Sequence, residues 1–126
     1  MPQPTTTPAE ATAPKRRRAD AERSVAAILD AALQALASDP DSSMSEIARR
    51  AGVVRATIYV HFPTRTALLD AVMEHATAQV VEAMRGAEPH RGEPAEALER
   101  VLSATWRQLA QFHGLLALNT ARLSAE

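Results

Sequence analysis

The chain has 126 residues, 46% of them hydrophobic and only 3% aromatic, enough for one compact core built from aliphatic and alanine packing. It contains no cysteine, which excludes a disulfide framework and a thiolate metal site, and no apolar run approaches the roughly 20 residues of a membrane span. The formal net charge of −1 carries no argument by itself, but the charges are unevenly spread.

Residues 1–19 are expected to form a disordered basic arm. Pro2, Pro4, Pro8 and Pro14 are half of the eight prolines, mixed with Thr and Ala and without helical period. Lys15, Arg16, Arg17 and Arg18 follow as an unbroken basic run, either a solvated tail or an arm that settles onto DNA phosphates or into a minor groove. The start of the chain has no apolar stretch of the secretory type, so a cytoplasmic protein is the expectation.

The abundance of Ala, Leu, Glu and Arg favours helix throughout. The first helix is expected over residues 20–38, with Val25, Ile28, Leu29, Ala32, Leu33 and Leu36 as its apolar stripe. Pro40, in the segment SDPDSS, stops it. Ser43 and Glu46 match a capping box that opens a short second helix, with Ile47, Ala48 and Ala51 facing inward and Gly52 at its end. A turn of three or four residues around Gly52 and Val53 has helix-turn-helix spacing.

The third helix spans residues 55–61, with Ile58 and Phe62 one turn apart on its inner side. Pro63 breaks it, and Thr64 caps a long fourth helix over residues 65–85. Leu68, Leu69, Val72, Met73, Ala76, Val80 and Met84 form the stripe of that helix. A loop ends at Pro94, which starts a fifth helix with Leu98, Val101, Leu102, Leu109 and Phe112 inward. Gly114 interrupts, and LLALNTARL opens a sixth helix. Trp106 and Phe112 are expected in the core.

The outer face of the third helix is unusual for a solvated surface. Arg55, Ala56, Thr57, Tyr59, Val60 and His61 supply hydrogen-bonding and small side chains and no acid. From residue 42 to residue 66, four arginines stand against Glu46 alone, a local net charge of +3 (4 − 1). That chemistry suits a major groove. Arginine makes bidentate contacts to guanine, threonine reaches a base edge or a thymine methyl, and tyrosine and histidine reach phosphates. Arg65, where the fourth helix exposes free amides, also suits a phosphate. Two plainer roles stay open: Tyr59 as a packed helix residue and His61 as a turn-capping one.

AILDAALQALA, SEIARRAGV and ATIYVHFPTRTALL together resemble the N-terminal DNA-binding domain of TetR-family transcriptional regulators, in order and nearly without gaps over residues 22–72. The resemblance implies an all-α fold. A three-helix helix-turn-helix domain (residues 20–66) precedes a long connecting helix and the beginning of a helical effector-binding and dimerisation domain (residues 67–126, incomplete).

It further implies that Arg55, Ala56, Thr57 and Val60 face bases or the groove. Tyr59, His61 and Arg65 then hold phosphates, with Ser43 or Ser45 helping. The implied partners are double-stranded DNA carrying a palindromic operator, a second copy of the chain, and a small effector whose binding relieves repression. In such a family Trp106 and Phe112 are candidates to line the effector pocket.

Several positions depart from the family pattern. Val54 stands where a capping serine is usual, which costs roughly 1 kcal/mol of local helix stability. Val60 replaces a frequent large polar or aromatic residue, and Thr66 a frequent Glu. The resembling proteins also continue for several more helices, so the 126 residues read as the front part of a longer dimeric repressor. No cofactor, metal site or catalytic constellation is expected: no histidine pair has metal-binding helical spacing, and no nucleophile motif or phosphate loop is present. The competing functional class is a helical dimerisation or interaction module without DNA binding.

Overall fold

The computed structural model describes residues 8–125. Six helices follow one another: α1 (Pro8–Ser38), α2 (Met44–Ala51), α3 (Arg55–His61), α4 (Arg65–Gly86), α5 (Pro94–Gln111) and α6 (His113–Ala125). The described residues contain no strand. None of these helices is long and apolar enough to cross a membrane.

α1 is longer than its apolar stripe. Helix begins at Pro8, so residues 8–19 are not the disordered segment expected from their prolines; residues 1–7 lie outside the described part. Pro14 sits inside the helix and removes one backbone donor. The residues after it, Lys15, Arg16, Arg17, Arg18 and Ala19, are strong helix formers and carry the helix into the stripe without a break. Ile28, Ala32, Leu33 and Leu36 are buried, and Val25 and Leu29 half-buried.

The turns obey the capping chemistry of their residues. Ser42, buried, donates its hydroxyl to the carbonyl of Ala35 at 3.1 Å and folds the α1–α2 loop back onto α1. Ser43 caps α2, its Oγ accepting the amide of Glu46 at 3.1 Å. The Glu46 carboxylate turns instead to Arg49 and Arg50 on the next turn, at 2.6 and 2.9 Å. Those hydrogen bonds, Arg49 first and then Arg50, hold its pKa down from 4.5 to about 2, so the cluster is ionised at any physiological pH. Gly52 closes α2 at φ 72°, a left-handed conformation that costs a side-chain-bearing residue energy. Thr64 caps α4 by accepting the amide of Ala67 at 3.0 Å.

One hydrophobic core unites the chain. Ile28 and Leu36 of α1, Met44 and Ile47 of α2, Ile58 of α3, and Leu68 and Val72 of α4 pack together. Phe112 and Leu115 from the α5–α6 corner join the same cluster. The core therefore does not stop at residue 66, where the sequence suggests a domain boundary. Gly114 is not the interruption expected of it. The chain breaks at Phe112, which ends α5, while Gly114 lies within α6 against the backbone of Leu36 and Ala37.

α5 differs most from its sequence reading. It packs on α4 through a face of small residues, with Ala97 and Ala104 buried. Close approach on alanines turns the larger residues outward: Leu98, Leu102 and Leu109, expected inside, are exposed, and Val101 is half-buried. Trp106, expected in the core, is 73% exposed, whereas Phe112 is buried as expected. Met84, near the end of the α4 stripe, is also exposed. Arg100 braces the loop before α5, donating to the carbonyls of Ala87, Glu88 and Arg91 at 3.1, 3.0 and 2.6 Å.

Candidate nucleic-acid interface

α3 is seven residues long, too short to be stable alone. Its position comes from Ile58, fully buried in the core, and from the half-buried Phe62, whose amide donates to the Ile58 carbonyl at 2.7 Å. With that side anchored, the rest of the helix is presented outward. Arg55, Ala56, Tyr59 and Val60 are exposed, and Thr57 is half-buried at the edge. Val60 is 77% and Val54 70% exposed.

Arg55 leans back along the helix onto Tyr59. Its Nη2 donates to the tyrosine hydroxyl at 3.2 Å, and its Cζ lies 5.4 Å from the ring centroid. Tyr59 is thus an exposed, hydrogen-bonded residue and not one packed into the core. His61 is half-buried with its ring 6.5 Å from that of Phe62. Arg65, also half-buried, donates to the carbonyl of Pro40 at 3.4 Å, which ties the start of α4 to the α1–α2 loop. Ser43 and Ser45 are exposed at the start of α2.

Lys15, Arg16, Arg17 and Arg18 are exposed along α1. Arg18 and His61 line one shallow groove of about 370 Å³, floored by Ala21, Val25 and Leu29, so α1 brings the basic run to the carboxyl end of α3. The four cations ride on a helix and not on a free arm. If they engage phosphates, replacing all four by glutamine, which keeps helix propensity, flattens the slope of log K against log salt. The expected change is about 0.9 per charge engaged. An unchanged slope in a salt titration identifies them as solvated.

Three residues bear on this face in ways their place in the sequence did not reveal: Val54, Arg49 and Arg50. Val54 matters there as a missing cap, and α3 indeed has no side-chain cap, but its exposure also adds apolar surface beside Arg55. Arg49 and Arg50 contribute to the basic segment, yet both are held by Glu46. The i+3 and i+4 spacing of those arginines from Glu46 was the available signal.

A separate open cleft of about 800 Å³ lies between α4 and α5, lined by Ala83, Glu96, Glu99, Arg100, Ser103 and Arg107 among others. Trp106 and Phe112 do not line it. Phe112 instead borders a small 140 Å³ cavity with Asp30, Gln34 and Gln79. His75 pairs with Asp30 across α1 and α4 at 2.8 Å, and His113 Nδ1 donates to the carbonyl of Ala110 within its own turn at 3.1 Å.

A core-anchored short helix, set against a capped second helix and presenting an acid-free face, defines a helix-turn-helix protein. The chain belongs to the tetR family: the family model described as "Bacterial regulatory proteins, tetR family" matches residues 28–72. It is similar to the HTH-type transcriptional repressor LfrR of Mycolicibacterium smegmatis, 38% identical over 93 residues, covering 74% of this chain and 49% of LfrR. It is also similar to the fatty acid metabolism regulator protein of Bacillus subtilis, 30% identical over 98 residues, covering 76% of this chain and 50% of that protein. The crystal structure of LfrR from Mycobacterium smegmatis in complex with proflavine superposes with a TM-score of 0.65 at 37% identity, covering 68% of this chain and 50% of that one. The chain spans about half the length of the curated relatives it matches.

Proposed function

We propose that the protein is a sequence-specific DNA-binding transcriptional regulator, a repressor that places α3 in the major groove and is released by a small-molecule effector. The observation that carries this reading is the outward face of α3. Ile58 fixes the helix to the core, while Arg55, Ala56, Tyr59 and Val60 stand exposed without an acid among them. Such a face offers donors to base edges and phosphates and apolar contact to thymine methyls.

Arg55 is the side chain placed to read a base pair, with Ala56, Thr57 and Val60 around it along the groove. Tyr59, His61 and Arg65 hold the phosphates, with Ser43 and Ser45 at the start of α2. The open α4–α5 cleft is the site offered to the effector; that LfrR has been solved in complex with proflavine supports a small-molecule ligand for a regulator of this kind. Two copies across a palindromic operator, with half-sites roughly 34 Å apart, complete the arrangement.

Arg55→Ala tests the reading. A bidentate arginine–guanine contact is worth about 1–3 kcal/mol of discrimination. The variant should therefore lose affinity for a selected duplex while keeping its affinity for random sequence. Titration of both duplexes by fluorescence anisotropy measures this directly. Equal losses on both would assign Arg55 to the backbone alone.

A further inference from the structure

Arg55 occupies an unfavourable place for stability. It is the first residue of α3, where the positive end of the helix dipole disfavours a cation, and Val54 before it supplies no cap. A residue that breaks a local rule without stabilising the fold points to a use elsewhere. The side chain is nevertheless not left loose. Tyr59, one turn on, accepts from its Nη2 at 3.2 Å and lies under its guanidinium at 5.4 Å.

The partner is a phenol, which holds the guanidinium without cancelling its charge. By contrast, Arg49 and Arg50 are both closed onto the carboxylate of Glu46. A guanidinium has five N–H donors, and a guanine edge takes two. One donor given to Tyr59 leaves enough for a bidentate contact. A phenolic hydroxyl both accepts and donates, so Tyr59 can accept from Arg55 and donate its own O–H to a phosphate at the same time.

We propose that Tyr59 is a positioning residue for sequence recognition. It holds Arg55 in place for a guanine edge and couples that base contact to a phosphate contact through one hydroxyl. The proposal rests on the DNA-binding reading above and adds to it a specificity role for a side chain otherwise assigned to the backbone. Holding a long side chain in advance removes part of the ordering cost of binding, roughly a two- to tenfold effect on the specific complex.

The test is a cycle of four proteins: the unaltered chain, Tyr59→Phe, Arg55→Ala and the double variant. Each is titrated with a duplex selected from a random pool and with a scrambled duplex. Tyr59→Phe is expected to weaken binding to both duplexes and to lower the ratio of selected to scrambled affinity roughly two- to tenfold. In the Arg55→Ala background the same change should leave that ratio unmoved while still weakening both complexes. An NMR measurement without DNA adds a second readout: the Arg55 Nη protons should exchange faster in Tyr59→Phe, with the melting temperature unchanged.

A ratio unaffected by Tyr59→Phe, or lowered equally in both backgrounds, overturns the proposal. An unaltered chain that prefers no duplex overturns the DNA-binding reading itself, and that failure is visible before any substitution is made.

Discussion

Ile58→Ala is expected to destabilise the protein by about 2–5 kcal/mol and to abolish binding to every DNA sequence. Ile58 is the buried residue of α3 and is fully enclosed by the core shared by α1, α2 and α4. Seven residues without a side-chain cap cannot hold helical structure by themselves. Removing three carbons therefore leaves a cavity and also takes away the anchor that orients Arg55, Tyr59 and Val60. Urea denaturation gives the stability change. Ile58→Val, which keeps the branch, should cost only about 0.5–1.5 kcal/mol and retain binding. A loss below that range for the alanine variant would mean that α3 is held by Phe62 and the turns.

The second large effect concerns Gly114. A Cβ there would fall well inside van der Waals contact of the Ala37 carbonyl oxygen, 2.8 Å from its carbon and 3.0 Å from the Leu36 oxygen. All three are backbone atoms of α1, fixed by the buried Leu36 beside them, so α6 must move. Leu115, the next residue and almost fully buried, would be drawn from the core with it. Overpacking of this kind costs about 1–3 kcal/mol, and contact with backbone puts Gly114→Ala at the upper end.

Gly86→Ala is the matched control. It meets nothing within 4 Å at the end of α4, and alanine there should be neutral or stabilising by up to about 1 kcal/mol. Thermal melts of the two variants compare them directly. Equal melting temperatures would show that α6 is not seated on α1.

The contrast between α3 and α5 shows what the sequence could reveal. The bounds of α3, the cap at Ser43, the left-handed Gly52 and the cap at Thr64 all follow from local chemistry, and each appears where that chemistry puts it. Capping and turn signals act within a few residues, so one sequence suffices to read them. The side of α5 that faces the core does not have this property. Leu98, Leu102 and Trp106 form the larger apolar stripe, but α5 meets α4 on Ala97 and Ala104. Which of two apolar faces is buried depends on how closely a neighbouring helix approaches, and periodicity does not record that distance.

Residues 8–19 fail for a related reason. Their prolines suggest an unstructured chain, yet the helix formers after Pro14 join them to the stripe of α1. At the interface, the exposed positions of α3 were legible from the absence of acids. The contact between Arg55 and Tyr59 depends on side-chain direction and was not.

An NMR titration of the isotopically labelled chain with a duplex enriched from a random pool decides whether α3 reads DNA. The largest shift changes are expected on Arg55, Ala56, Thr57, Tyr59 and Val60, with smaller ones at Ser43, Ser45 and Arg65. Enrichment of no sequence, or shift changes confined to the exposed face of α5 with α3 unmoved, would contradict recognition through α3.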